Sequence, residues 1–553
     1  GINKNEGRII MKLKENTTQR KLRGGYYTPQ KLADYITKIT LKDKKKILEP
    51  SCGDGSFLKS IKNILDNNDY NIEKIDAIEY IEEEANKSKR ILKNINNANV
   101  TNDDFYNFYV NCKDKYNLII GNPPYIRYQY LTEFQREKQA QVLIKNKMKS
   151  NKLINSWVFF LVACIELLEK NGTIAFVIPA EIMQVAYAED LRKYLSKHLS
   201  KINIISFNKL LFEDAEQEVV VLIGTKKDKE TECLISNCIY DDIDDFIRKY
   251  NENDLVYEKI LTNDKWTRYY LKEKENNVIE EIKKDSRFRK IGDVGLVNVG
   301  ITTGNNNYFS LDDDYVKKYD LKKYTKPLIG RSSQTHGLIF DEKDWKRNVD
   351  KGVKAYLLTI NEDVDVKNMS KGQRKYIKIG EDNGENKGYK CRIRKRWYSV
   401  PSIWIPDAFL LRRSNVYPKF VLNGIDAVST DTMHRIKIKD EYDNRKILLS
   451  YYNSISFAFT ELCGRSYGGG VLEILPKEAE NIIIPNIDDM DEQNVNRLIE
   501  ILDDNIRHNK DIREAIKVMD KEILENYLGI SADTISMYRE IWKTLNDRRM
   551  NRK

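Results

Sequence analysis

Strand and helix signals alternate through roughly the first 225 residues, and this alternation restricts the fold more than any other feature of the chain. Short apolar runs at 46–48, 75–78, 117–120 and 173–178 read as buried strands. The stretches 57–65 and 85–95 between them carry apolar residues at helical spacing. Such an order predicts a parallel α/β sheet of the Rossmann-like kind, with ligands at the carboxyl ends of its strands. A β run at 218–224 is expected to close that sheet. Residues 226–290 are charged and show no clear period. Beyond them, turn signals at Gly300, Thr303-Gly304-Asn305, Gly330, Gly424 and Gly468-Gly469-Gly470 separate short apolar runs, which predicts a loop-rich α+β domain. Helical spacing returns after Asp488, first in Leu498, Ile501, Leu502 and Ile506, then in Ile512, Ile516, Met519 and Ile523. The expected domains are 1–245, a connecting segment 246–290, 291–485, and a helical extension 486–553.

Several classes are set aside by composition. The longest apolar run, 158–168, is interrupted by Glu166 and is too short for a membrane span of about 20 residues. No apolar leader precedes the first charged residues, so a cytoplasmic chain without membrane association is expected. The seven cysteines are scattered and odd in number, which argues against a disulfide framework. The nearest pair, Cys233 and Cys238, lacks a second pair of ligands, and the four histidines are isolated, so no metal site is expected. The net charge of +10 permits a polyanionic partner without requiring one.

Two segments carry chemistry. Gly121-Asn122-Pro123-Pro124-Tyr125 directly follows a buried strand. Two consecutive prolines remove two N–H donors, so the carbonyls around them stand as acceptors. The Asn122 amide adds another acceptor, and Tyr125 adds a flat face. Together they suit a planar substrate with an exocyclic amine, whose lone pair is delocalised until its N–H bonds are held. The plain alternative is an ordinary Asn-Pro turn. The second segment, 47–57, reads strand, glycine-bearing turn, helix, with Glu49, Pro50, Ser51, Cys52, Gly53 and Gly55 in the turn. Its glycines allow close approach of a ligand. A dinucleotide fingerprint needs a third glycine where Leu58 stands, which disfavours a pyrophosphate-bearing cofactor. Glu79 ends the next strand and suits ribose hydroxyls. A nucleoside cofactor without pyrophosphate fits, and S-adenosylmethionine is the candidate.

Taken together, these motifs resemble the gamma class of amino-methylating DNA methyltransferases, the TaqI type. Arg23-Gly24-Gly25-Tyr26-Tyr27-Thr28-Pro29 resembles the class's first cofactor motif, and residues 49–55 resemble its main cofactor loop. The resemblance implies that Tyr27, Thr28, Glu49, Pro50, Ser51, Cys52, Gly53, Gly55, Glu79, Asp104, Phe105 and Asn122 bind the cofactor. Within that set, Glu79 takes the ribose, and Asp104 and Phe105 take the adenine. It also implies that Asn122, Pro123, Pro124 and Tyr125 are catalytic, with Phe212 closing on a flipped base opposite Tyr125. On this reading 1–245 is a class I S-adenosylmethionine-dependent methyltransferase domain and 291–485 a target-recognition domain.

Lys326-Pro327-Leu328-Ile329-Gly330-Arg331 and Arg465-Ser466-Tyr467-Gly468-Gly469-Gly470 resemble motifs of such recognition domains. Arg331, Arg394, Arg396, Trp397, Arg412 and Arg465 are the expected DNA contacts, against the plain alternative of a solvated charged surface. The resemblance implies methylation of adenine N6 in duplex DNA by a monomeric prokaryotic enzyme, with room for a separate cognate restriction endonuclease. Cytosine N4, RNA and a protein glutamine stand as alternative substrates. A non-enzymatic DNA-binding module would not need the cofactor set. A fused nuclease is not expected, because Pro406-Asp407 has no Glu-x-Lys after it.

Overall fold

The computed structural model describes residues 27–152, 154–183, 188–211, 218–260, 266–467 and 470–550. They fall into two compact units, one of the described residues up to Tyr270 together with Tyr467, and one running over Leu271–Ser466 and Gly470–Met550.

The first unit alternates α1 (Gln30–Thr40), β1 (Lys46–Glu49), α2 (Ser56–Asn67), β2 (Lys74–Glu79), α3 (Glu82–Leu92), β3 (Ala98–Asn102), α4 (Phe105–Asn111) and β4 (Tyr116–Gly121). It continues through α5 (Glu133–Lys145), α6 (Ser156–Glu166), β5 (Leu168–Pro179), α7 (Ala188–His198), β6 (Leu199–Phe207), β7 (Val219–Lys226), β8 (Leu234–Tyr240), α8 (Ile243–Lys249) and β9 (Glu258–Lys259). One sheet has the order β3-β2-β1-β4-β5-β7-β6-β8-β9. Pairing is parallel from β3 to β5, and β7 runs antiparallel between β5 and β6. Ile47 of β1 lies opposite Ile75 of β2 and Leu118 of β4, and all three are fully buried. Strands covered on both faces read as continuous apolar runs, which is why these were visible in the sequence.

Helix α6 is the unit's apolar centre. Ser156 through Ile165 are all buried, so it has no polar face and no helical period to detect. Tyr106 stacks on its Phe159 with ring centroids 4.0 Å apart. Burying a side chain such as Phe159 contributes about 1.5–3 kcal/mol. After β3 the chain returns to the other side of β1 to form β4. That reversal of strand order leaves a crevice at the carboxyl ends of β1 and β4.

The second unit contains a five-stranded sheet in the order Gly295–Asn298, Met433–Ile438, Ala408–Leu411, Phe420–Asn423, Ile339–Phe340. Beside it, a four-stranded sheet takes Ser310–Leu311, Tyr356–Leu358, Thr325–Ile329 and Val428–Ser429. Helices Glu492–Arg507, Ile512–Met519 and Ala532–Met550 follow. Their Leu498, Ile516 and Ile541 share one apolar core with Phe420 and Leu410 of the sheet. The Tyr538 hydroxyl donates to the Val278 carbonyl at 2.8 Å, which ties the last helix to the unit's first one, Glu273–Lys284. No described helix is long and apolar enough to cross a membrane.

Candidate active site

Parallel strands β2, β1 and β4 bring Glu79, Glu49 and Gly121 to one edge of the sheet, because each is the last residue of its strand. The loop after β1 then turns sharply. Gly53 has φ +55° and Gly55 φ +91°, in the left-handed region that favours glycine. A Cβ on Gly55 would stand 2.4 Å from Ile91 Cδ1. The Cys52 N–H donates to the Ile78 carbonyl at 2.9 Å, and the Gly53 N–H donates to Glu79 Oε2 at 2.7 Å. Glu79 Oε1 accepts from the Ile81 N–H at 3.1 Å. A carboxylate has about four lone-pair sites, so acceptor capacity remains for ligand hydroxyls. Burial pushes the Glu79 carboxyl above the usual carboxylate range.

Glu49 lies beneath the loop, 1% exposed, with Oε1 accepting from the Ser51 N–H at 2.9 Å. Burial raises its carboxyl well above the usual range. A Cβ on Gly121 would come within 2.6 Å of Glu49 Oε1, so only glycine lets β4 pass this close. Burial likewise pushes the Cys52 thiol well up, which keeps it protonated and unsuited to nucleophilic attack. Pro50 is buried beside it. Thr28 is 5% exposed, and its Oγ1 is buried with no hydrogen-bond partner among the described residues. The Tyr27 ring lies 3.8 Å from where a Gly53 Cβ would stand. Asp104 caps α4: Oδ1 accepts from the Tyr106 N–H at 3.1 Å, and Oδ2 from Gln135 Nε2 at 3.1 Å. Phe105 is 3% exposed and packs on Phe160 with centroids 4.7 Å apart.

The Asn122–Tyr125 loop is braced from both sides. Ser51 Oγ donates to the Asn122 carbonyl at 3.0 Å. Ser156 Oγ donates to the Pro124 carbonyl at 2.6 Å and accepts from the Ile126 N–H at 2.8 Å. The Ser156 N–H donates to the Ile126 carbonyl at 3.0 Å. Among the described residues no donor reaches the Pro123 carbonyl, which lies between the two braced ones. Asn122 Oδ1 is shielded from solvent. The Tyr125 hydroxyl donates to the Val177 carbonyl of β5 at 2.8 Å, leaving the ring 6% exposed. Phe212 lies outside the described residues. Sequence reasoning passed over Ser156. Its only local signal is Asn155, whose side chain caps α6, because the tie to Pro124 joins residues 32 positions apart.

In the second unit the basic candidates separate. Arg331 is exposed, and its guanidinium has no hydrogen bond or ion pair among the described residues. The others hold the unit itself. Arg394 donates to the Thr303 carbonyl at 2.6 Å, and Arg396 to the Glu362 carbonyl at 2.9 Å. Trp397 Nε1 donates to Glu381 Oε1 at 3.2 Å. Arg412 lies 3.6 Å from Glu473, and Arg465 3.4 Å from Glu478 with its side chain 11% exposed.

Residues 10–294 match the family described as N-6 DNA Methylase, and residues 263–524 match the C-terminal domain of the Type II methyltransferase M.Eco57I. The chain is 25% identical to the Type II methyltransferase M.AccI of Acinetobacter calcoaceticus over 529 residues, 91% of this chain and 93% of that one. It is 31% identical to the Type II methyltransferase M.HincII of Haemophilus influenzae over 202 residues, 36% of each chain. Among solved structures, the Type IIL restriction-modification enzyme MmeI in complex with DNA superposes with a TM-score of 0.54 at 13% identity, over 94% of this chain and 75% of that one. That likeness speaks to the fold, and it agrees with the α/β sheet expected from the sequence.

Proposed function

The chain belongs to the N-6 DNA methylase family and is a site-specific DNA adenine methyltransferase with a C-terminal domain, and on that premise we propose how its own residues carry out the reaction. The observation that carries the proposal is the loop in which two of three successive carbonyls are taken by serine hydroxyls and the middle one, of Pro123, meets no donor among the described residues.

A stacked adenine cannot present its N6 to a buried donor, so the base must rotate out of the duplex. The Asn122 side-chain carbonyl and the Pro123 carbonyl accept the two N6 protons. Holding both N–H bonds draws the nitrogen lone pair out of conjugation and disperses charge as the new bond forms. The Tyr125 ring supports one face of the base, and Phe212 is the proposed partner on the other. Stacking of this kind contributes about 1–3 kcal/mol and offsets part of the unstacking cost.

The cofactor residues fit a nucleoside ligand. Thr28 Oγ1 is a buried hydroxyl lacking a partner among the described residues, and the Gly53 turn and Glu79 lie together at the strand ends. S-adenosylmethionine suits this set, and when bound it supplies a methyl carbon activated by a sulfonium. Glu79 would take the ribose hydroxyls and Asp104 the adenine amino group, while Phe105 shapes the wall from within the core. Pro50, Ser51, Cys52 and Gly55 hold the turn. Of the DNA-contact candidates, Arg331 is the one whose charge is available to a phosphate or base edge. A monomer, and a separate endonuclease of the same specificity, complete the proposal.

The direct test is transfer of labelled methyl from S-adenosylmethionine to unmethylated genomic duplex DNA, with the product nucleoside identified. N6-methyladenine at one recurring short sequence is expected. N4-methylcytosine, or transfer to RNA alone, would contradict the reading. A second prediction concerns Ser156. Losing a buried hydrogen bond costs about 1–3 kcal/mol, so Ser156→Ala is expected to lower kcat by about 10–100-fold. Donor affinity should stay unchanged, and Ser156→Thr should restore part of the rate. A drop in donor affinity equal to the drop in kcat would instead mark Ser156 as a general structural residue.

A further inference from the structure

Residues 387–406 contain six cations and no carboxylate, in a chain otherwise rich in both. The structure sorts five of these cations into two faces, while the sixth, Lys395, is exposed 4.0 Å from Asp363. The inward face is pinned. Cys391 is 3% exposed, Arg394 grips the Thr303 carbonyl, Arg396 grips the Glu362 carbonyl, and Trp397 lies against Tyr308 with centroids 5.5 Å apart. Gly304, at φ +93°, lets its loop approach this base: a Cβ there would stand 3.3 Å from Cys391 Sγ. The outward face carries Lys387, Tyr389, Lys390, Arg392 and Ile393, all exposed. Tyr389 is 66% exposed and Ile393 65%, an unusual place for a large aromatic and a large aliphatic side chain. Arg392 lies 6.0 Å from the Tyr389 ring.

We infer that this outward ridge is a duplex-DNA contact surface, with Lys387, Lys390 and Arg392 on phosphates and Tyr389 and Ile393 against groove edges. The inference rests on the DNA-methylating function proposed above and says which surface of the second unit meets the duplex. Three cations with no ion pair among the described residues, beside two apolar tips on a base held from behind, complement a polyanion with stacked bases in its grooves. The apolar tips account for exposed hydrophobic area that a phosphate contact alone does not need. The inward arginines are positioning residues, since they fix the base and point away from the ridge.

Two variants of the full chain separate the parts. Each phosphate contact contributes about 0.9 to the slope of log affinity against log salt, so Lys390→Gln combined with Arg392→Gln is expected to lower that slope by about 2. The same double variant should raise KM for DNA about tenfold or more at low salt. Tyr389→Ala combined with Ile393→Ala is expected to weaken duplex binding about tenfold with the salt slope unchanged. Binding of S-adenosylmethionine should equal wild type in both. If both variants bind duplex with wild-type affinity and slope while the wild type methylates DNA, the ridge is not the contact surface and the function stands. A wild-type chain that neither binds nor methylates duplex DNA overturns both.

Discussion

Asn122→Ala is expected to lower kcat for methyl transfer by at least about 10²–10³-fold, the usual consequence of deleting one preorganised hydrogen-bonding group at a reacting centre, about 2.7–4 kcal/mol. Donor binding should stay largely intact, since Asn122 is only one of the residues implied to hold the cofactor. The loop backbone is held at two points outside the Asn122 side chain: Ser51 donates to the Asn122 backbone carbonyl and Ser156 to that of Pro124. The proposed nucleoside site lies on β1, β2 and their loops, where Glu79 fixes the Gly53 N–H. Single-turnover kinetics with calorimetry of donor binding would separate the two quantities. Turnover near wild type would remove Asn122 from the reaction and with it the role proposed for the Pro123 carbonyl. Loss of donor binding in step with kcat would mean that the loop, and not the amide alone, had changed.

The second large effect is one of stability. Arg549 is 3% exposed, close to the C-terminal end of the last helix. Its guanidinium meets Glu461 at 2.6 Å and 3.2 Å and donates to the Gly470 carbonyl at 2.6 Å and to the Asn415 carbonyl. The Glu461 side chain is 5% exposed. Removing the cation leaves that carboxylate buried without its charge partner, so Arg549→Ala should destabilise the second unit by about 3–5 kcal/mol. Lys543→Ala, on the exposed side of the same helix, should fall within about 0.5 kcal/mol of wild type. Arg549→Met with Glu461→Met removes both charges and should recover much of the loss. Thermal or denaturant unfolding followed by a probe in the second unit would measure all three. An Arg549→Ala protein that melts with wild type would show that the pair contributes nothing to stability.

The sheet was legible where burial on both faces produced mostly apolar runs, interrupted in β2 by Asp76. β1, β2, β4 and β5 were visible for that reason, and so was the glycine-bearing turn between β1 and α2. β3 was not, because Ala98–Asn102 is half-exposed at the sheet edge and carries one large aliphatic residue, Val100. Helix α6 escaped for the opposite reason: buried all round, it offers no polar face to set against an apolar one. The loop could be singled out as a catalytic candidate because Asn-Pro-Pro-Tyr is a local pattern. The bracing serines were not, since the hydroxyl of Ser51 reaches a carbonyl 71 positions away and that of Ser156 one 32 positions away.

The basic residues divide in the same way. From the sequence alone came their clustering and their sign, and with these the expectation of a polyanionic partner. Which of them stay exposed and available to such a partner was decided only in three dimensions. Arg465 meets Glu478, 13 positions on, and Arg549 meets Glu461, 88 positions back, so their charges are neutralised internally. Lys390 and Arg392 lie within a few residues of Arg394 and Arg396 yet remain exposed. The type of charge is a property of one residue, whereas its availability depends on whether folding brings a distant carboxylate or carbonyl within hydrogen-bond reach.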